Sequence, residues 1–330
     1  MAFNIVKTEM IAKRESTAGT PETITSSDFD VRMYEPEFTP DIQGGDEDSK
    51  YVTGDYGEDI AISGIKGATF TSMTKLSSAG AGLDSAPKWG KLAETCGLVG
   101  TSYAGTGYGY EPLQSGDKQT STFHKIGISD DGTPVGLQSS TAGVMGNLTI
   151  SAEGVGSPLK LNYDFKGKFS GITDIANASI PSLTSPDTTV GAKFLNGTTI
   201  AIFGQSLCVQ SFSLNIGNTI EYLQCPSESE GILYSSIVNR QPRMEMTVIA
   251  PTRGVFDPFF EITNEQEDSI ILGFGDWTLE IPRAQILSYS ESDANGKLAY
   301  DLTIKLNRNN GADATMQDES TFRLLQGATA

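Results

Sequence analysis

Leu159-Lys160-Leu161-Asn162-Tyr163-Asp164-Phe165-Lys166 decides how this chain reads, together with its counterpart Leu298-Ala299-Tyr300-Asp301-Leu302-Thr303-Ile304-Lys305-Leu306. In each stretch apolar and polar residues alternate. A period of two puts the apolar side chains on one face of an extended strand and the polar ones on the other. The first strand closes one β-rich half and the second closes another. Each half also carries one short helical pattern. Two such units suggest a chain that builds surfaces and interfaces, and nothing between them has the pattern of an active site.

Working outward, the first half shows alternation over Phe29–Tyr34. A glycine- and acid-rich loop follows from Asp41 to Asp59, then a strand from Ala61 to Leu76 with Gly64 and Gly67 as bulges. The next segment predicts a helix over Ala86–Cys96. Ser85 is the candidate cap, Pro87 falls in the first turn, and Gly97 supplies a left-handed end. Trp89, Leu92, Ala93 and Cys96 fall at i, i+3, i+4 and i+7, one face that should be buried on a sheet. Strands are expected at Thr120–Ile128 and Val135–Gln138 around Asp130-Asp131-Gly132, and at Asn147–Ala152 before the closing strand. The Pro/Ser/Thr-rich stretch Ile180–Thr189 lacks periodicity and marks a boundary.

The second half repeats the order. Phe212, Leu214 and Ile216 alternate, as do Met244, Met246 and Val248. Val255–Ile262 reads as a short helix. Trp277, Leu279 and Ile281 form a strand, and Asp293-Ala294-Asn295-Gly296 turns into the closing strand. The expected organisation is an N-terminal arm over 1–25, a β domain over 26–180, a linker over 181–198 and a second β domain over 199–325. The arm is expected to be ordered only where a neighbour holds it.

Composition narrows the function. The 330 residues carry a net charge of −18. Twelve acids against Arg32 and Lys50 between Pro21 and Ile60 account for −10 of it. Tight nucleic-acid binding needs clustered Lys and Arg and is not expected. No apolar run approaches the ~20 residues of a membrane helix. Cys96, Cys208 and Cys225 form no metal-binding spacing and read as free, mostly buried thiols. The sole histidine, His124, reads as structural. Gly105, Gly107 and Gly109 only superficially echo a dinucleotide loop, with no strand before and no helix after, and read as a tyrosine-lined turn. Asp46-Glu47-Asp48 lacks the spacing of a calcium loop. No enzyme, cofactor or metal is expected.

Four stretches give the chain a resemblance to the major tail tube proteins of long-tailed bacteriophages, of the two-domain type. They are Ala86–Gly97; Asn147–Ile150 with Leu159–Gly171; Ser211–Ile220; and Trp277–Leu306. The resemblance implies a mainly β fold with two β-sandwich or barrel domains, each flanked by one short helix. It implies stacked rings forming a hollow tube in the virion tail, assembled in the host cytoplasm, through which viral DNA passes. Trimeric rings with pseudo-sixfold symmetry fit a doubled chain, with hexamers as the alternative. Other partners so implied are tape measure, terminator and distal tail proteins. An acidic wall would keep DNA sliding, so Lys160, Lys166 and Lys168 should be neutralised or turned away. Asp41, Asp46, Glu47, Asp48, Asp55, Glu58 and Asp59 mark the long loop as an inter-subunit element. The competing reading is a β-sandwich binding module, such as a virion decoration or adhesin protein.

Overall fold

The computed structural model describes residues 3–25, 28, 30–45, 62–78, 84–103, 107–113, 119–129, 136–176, 192–194 and 200–327. The fold is mainly β. Among the described residues there are seventeen strands and two six-residue helices, α1 (Gly90–Thr95) and α2 (Pro258–Thr263).

Half one contains β1 (Phe3–Arg14), β2 (Val31–Gly45), β3 (Ile62–Lys75), α1, β4 (Leu98–Tyr103), β5 (Gly107–Pro112), β6 (Ser121–Ser129), β7 (Gly136–Ala152) and β8 (Lys160–Ile175). Six of these close on themselves in the order β7-β6-β1-β2-β3-β8, with β8 returning to β7. Closure pairs each of these strands on both sides over part of its length, while the far ends of β2 and β7 run past β1 and β6. Half two contains β9 (Ile200–Ile202), β10 (Val209–Asn215), β11 (Asn218–Gln224), β12 (Ile232–Arg240), β13 (Arg243–Ile249), α2, β14 (Glu267–Phe274), β15 (Trp277–Ala294), β16 (Lys297–Leu306) and β17 (Arg323–Gly327). Its strands run β10-β13-β16-β15-β17, with β14 also on β15.

The halves join edge to edge. The far end of β7 pairs with β10, Ile150 opposite Leu214 and Ala152 opposite Phe212. The core follows from the alternation. Ile150, Leu214, Met244, Ile304 and Ile286 lie in register across five strands, all buried. Ala152, Phe212, Met246 and Leu302 form the next row. Fully burying one large apolar side chain stabilises the fold by about 1.5–3 kcal/mol. The polar residues between them, Ser213, Glu245 and Thr303, face the other way in register.

Several expectations are corrected here. The N-terminal segment is no free arm: β1 lies between β2 and β6 inside the chain's own barrel. Its end is fixed by the buried Glu15 carboxylate, which accepts from Gly19 N, Gly143 N and the Thr120 and Thr122 hydroxyls. Its basic residues Lys7, Lys13 and Arg14 hid the strand pattern. Asn147–Ala152 is the far end of β7, not a strand of its own. Gly107 and Gly109 lie in β5, which pairs with β4 and β17, so the tyrosine-lined turn is a strand there. Gly67 is not a bulge: it pairs regularly with Asp41 and Lys168 and is bare because a Cβ would run into the Tyr222 ring. Of the three cysteines only Cys96 is buried; Cys208 is exposed and Cys225 half-buried.

The expected linker falls mostly outside the described residues. Within it, Ala192 is held between Leu76 and Leu159, and Phe194 packs on Phe212 and Phe274. The turn Asp130–Gly132 and Gly105 also lie outside the described residues.

Candidate assembly surface

The two halves share a layout. In each, the strand before the helix pairs with the second strand of the closing hairpin, β3 with β8 and β13 with β16. The registers correspond: Thr71 stands opposite Asp164, and Thr247 opposite Asp301. Thr247 Oγ1 donates to Asp301 at 2.6 Å. Two residues on, Thr69 faces Lys166 and Glu245 faces Thr303; two further, Gly67 faces Lys168 and Arg243 faces Lys305. Each helix is followed by a left-handed residue, Gly97 at φ +74 and Glu265 at φ +51.

Helix α1 is the buried member of the pair. Trp89, Leu92, Ala93 and Cys96 are all buried, as their spacing requires. Trp89 packs on Tyr110 and Trp277, and its indole N–H donates to Ser77 O at 2.9 Å. Burial pushes the Cys96 thiol well up from its ordinary range. The helix is shorter than expected. Trp89, not Ser85, is the N-cap residue, and the segment through Pro87 forms a turn closed by Gly90 N donating to Pro87 O.

Hairpin β11–β12 of half two covers this region. Arg240 donates to Asn218 Oδ1 (2.9 Å), Leu113 O (3.1 Å) and Gly97 O (2.8 Å). Asn218 Nδ2 donates to Cys96 O at 2.6 Å and Gly146 O at 3.0 Å. Further along, Lys168 pairs with Glu228 at 3.1 Å, Lys166 sits 4.2 Å from the Tyr222 ring centroid, and Lys66 N donates to Glu230 O. Lys160 pairs with Glu153 at 2.7 Å. The hairpin therefore lies across the outer face of β3 and β8.

Among the described residues nothing covers the corresponding parts of half two. Helix α2 is capped by Asp257, which accepts from Phe259 N and Phe260 N, yet Phe259 is 58% and Phe260 54% exposed. Glu261 beside them is pushed up by burial and by Asp268 and Asp257. The outer face of β13, β16 and β15 is an open groove lined by Ser213, Glu245, Thr247, Ser288, Ser290, Asp301 and Thr303. Arg243 and Lys305 stand side by side on it with no ion pair among the described residues.

Of the expected loop acids, Asp41 lies in β2, paired with Gly67. Asp46, Glu47, Asp48, Asp55, Glu58 and Asp59 lie outside the described residues, as does the weighed ion site at Asp46–Asp48. Periodicity did not reveal β11, β12 or β17. β11 starts at Asn218, directly after Gly217 in its left-handed conformation, and that glycine is the turn signal the sequence offers there.

No group of His, Cys, Asp and Glu side chains among the described residues is placed to hold a metal. No described helix is long and apolar enough to cross a membrane. Neither protein-family models nor curated proteins give a match to this chain.

Proposed function

We propose that the chain is a structural subunit of a phage tail tube, two like units per chain, forming trimeric rings with pseudo-sixfold symmetry. One observation carries the reading: the joint between the halves has a vacant counterpart. Within the chain, the far end of β7 pairs with β10, the strand that precedes half two's helix-leading strand. The far end of β15, beyond Gln285, carries β16 on one edge and no described strand on the other. Strand β2 beyond Met33 carries β3 on one edge and no described strand on the other. Open edges are templates for pairing with another chain. A head-to-tail contact that repeats by rotation closes into a ring.

The charge balance supports a conduit for DNA. Lys160 and Lys168 are paired with acids, and Lys166 is turned onto a tyrosine ring. No basic stripe therefore builds on β8, and a net charge of −18 leaves little to trap a polyanion. Tape measure, terminator and distal tail proteins remain the expected further partners. Negative-stain microscopy of the purified full chain tests the reading: tubes of regular width are expected, and a monodisperse monomer at all concentrations would overturn it.

A further inference from the structure

We propose that Asn295, at the tip of the β15–β16 ribbon, is a site of spontaneous deamidation, and that the Asp293 carboxylate sets its rate by holding the turn shut. The inference is independent of the assembly reading above. Strand β15 ends at Ala294 and β16 starts at Lys297, with Ala294 paired to Lys297. The two residues between them are both left-handed, Asn295 at φ +56 and Gly296 at φ +75, as a two-residue hairpin turn of type I′ requires. Both are exposed, and a Cβ placed on Gly296 would meet open space. Gly296 N donates to Asp293 Oδ1 at 2.9 Å.

The reaction needs only this residue pair and water. Gly296 N bonds to Asn295 Cγ, the Cγ–Nδ2 bond breaks, and the proton of Gly296 N leaves with the amide group as ammonia. The product is a five-membered succinimide. Water then opens one of the two C–N bonds of its imide, giving aspartate or isoaspartate. Glycine obstructs the attack least, because it has no Cβ. While the turn is closed, the Gly296 N–H is engaged by Asp293. The step therefore proceeds from the fraction of molecules in which the tip is open. Either product adds a negative charge beside Asp293 and Glu291. Isoaspartate also routes the chain through Cβ, which lengthens the two-residue turn by one main-chain atom.

A second exposed Asn-Gly pair is held more firmly. Asn310 and Gly311 are also left-handed, at φ +48 and +78. Backbone bonds bracket this turn: Asn309 N donates to Ser320 O, Asn310 N to Asp318 O and Ala312 N to Asn309 O. Next to it the fully buried Asn309 side chain donates to Asp313 O and Met316 O and accepts from Asp313 N. The ribbon tip has less support. Beyond Gln285, β15 has no described strand on its other edge, and Glu291, Asp293, Lys297 and Leu298 are exposed. A two-stranded ribbon frays from its tip, so Asn295 opens more often than Asn310. The remaining Asn-Gly pair, Asn196-Gly197, lies outside the described residues.

The test incubates the purified full chain at neutral pH and follows Asn295 and Asn310 by peptide mass spectrometry, with the chain unfolded in guanidinium chloride as reference. In the unfolded reference both pairs should convert at similar rates. In the folded chain Asn295 should convert and Asn310 should lag behind it. Asp293→Ala should speed Asn295 about fivefold, the effect of one exposed hydrogen bond on the opening equilibrium, and leave Asn310 unchanged. Asp293→Asn keeps an oxygen acceptor and should restore most of the native rate. Conversion of Asn310 ahead of Asn295 overturns the proposal. So does an Asn295 that stays intact while the unfolded reference converts fully, an Asn295 rate that Asp293→Ala leaves unchanged or lowers, or an Asp293→Asn variant as fast as Asp293→Ala.

Discussion

Five of the six residues of helix α1 are buried, against only Pro258 of the six in helix α2. The two helices follow corresponding strands, and each ends in a left-handed residue. What differs is the neighbour. Helix α1 is packed by Tyr110 and Trp277 and tied down at its end by Arg240 from the following half. Helix α2 packs on β15 and otherwise faces solvent. The same contrast holds for the strand faces, covered by β11–β12 in half one and open in half two. Surface that one half buries internally is left uncovered in the other half by the described residues.

The largest expected break in this symmetry is at Trp89. Trp89→Ala should cost about 3–5 kcal/mol, because it leaves a cavity between Tyr110 and Trp277. Phe260→Ala on the other helix should change stability by no more than about 0.5 kcal/mol. Urea unfolding of both variants measures the gap, and equal losses would end the argument that the two helices are finished differently.

A histidine-linked pH effect should follow in half one, where His124 stands. Burial pulls the His124 imidazole down to about 4, and its Nδ1 has no hydrogen-bond partner among the described residues. The unfolded chain takes up that proton below about 6.5, whereas the folded chain does so only below about 4. The unfolded state thus binds more protons in that window, and stability falls as pH drops from about 6.5 to about 4, by up to about 3 kcal/mol. His124→Gln should flatten this part of the melting-temperature profile. An unchanged slope in the variant would assign the acid sensitivity elsewhere.

The latch between the halves comes next. Arg240→Ala removes a half-buried guanidinium that satisfies two carbonyls and Asn218, and should cost about 2–3 kcal/mol. Arg243→Ala, on the bare face, should cost less than about 0.5 kcal/mol. The smallest contrast is Lys168→Met against Lys305→Met. The first strands a partly exposed Glu228 and should cost about 1 kcal/mol; the second should be neutral within error. Thermal unfolding resolves both pairs.

The sequence made the strand faces legible, because Leu161, Tyr163 and Phe165, or Leu302, Ile304 and Leu306, repeat with period two and are buried. It also gave the buried face of helix α1, since Trp89, Leu92, Ala93 and Cys96 repeat at helical spacing. It did not show the exchange of elements between halves. Strands β4 and β5 of half one extend the half-two sheet through β17, and β11–β12 of half two lies on half one. Such pairings link residues over two hundred positions apart, such as Tyr110 and Leu324, and leave no local pattern. β11 is hidden for a further reason: Ile220, Tyr222 and the exposed Leu223 do not alternate cleanly between apolar and polar. Hence the bare face, with Arg243 beside Lys305, became visible only through the register.

The most direct test of the central claim is cryo-electron microscopy of assembled full-length chain, averaged down the tube axis. The account predicts rings of three chains showing six similar lobes, with contacts between chains resembling the contact between halves. Rings of six chains, or rings of three chains that show only three lobes, would contradict it.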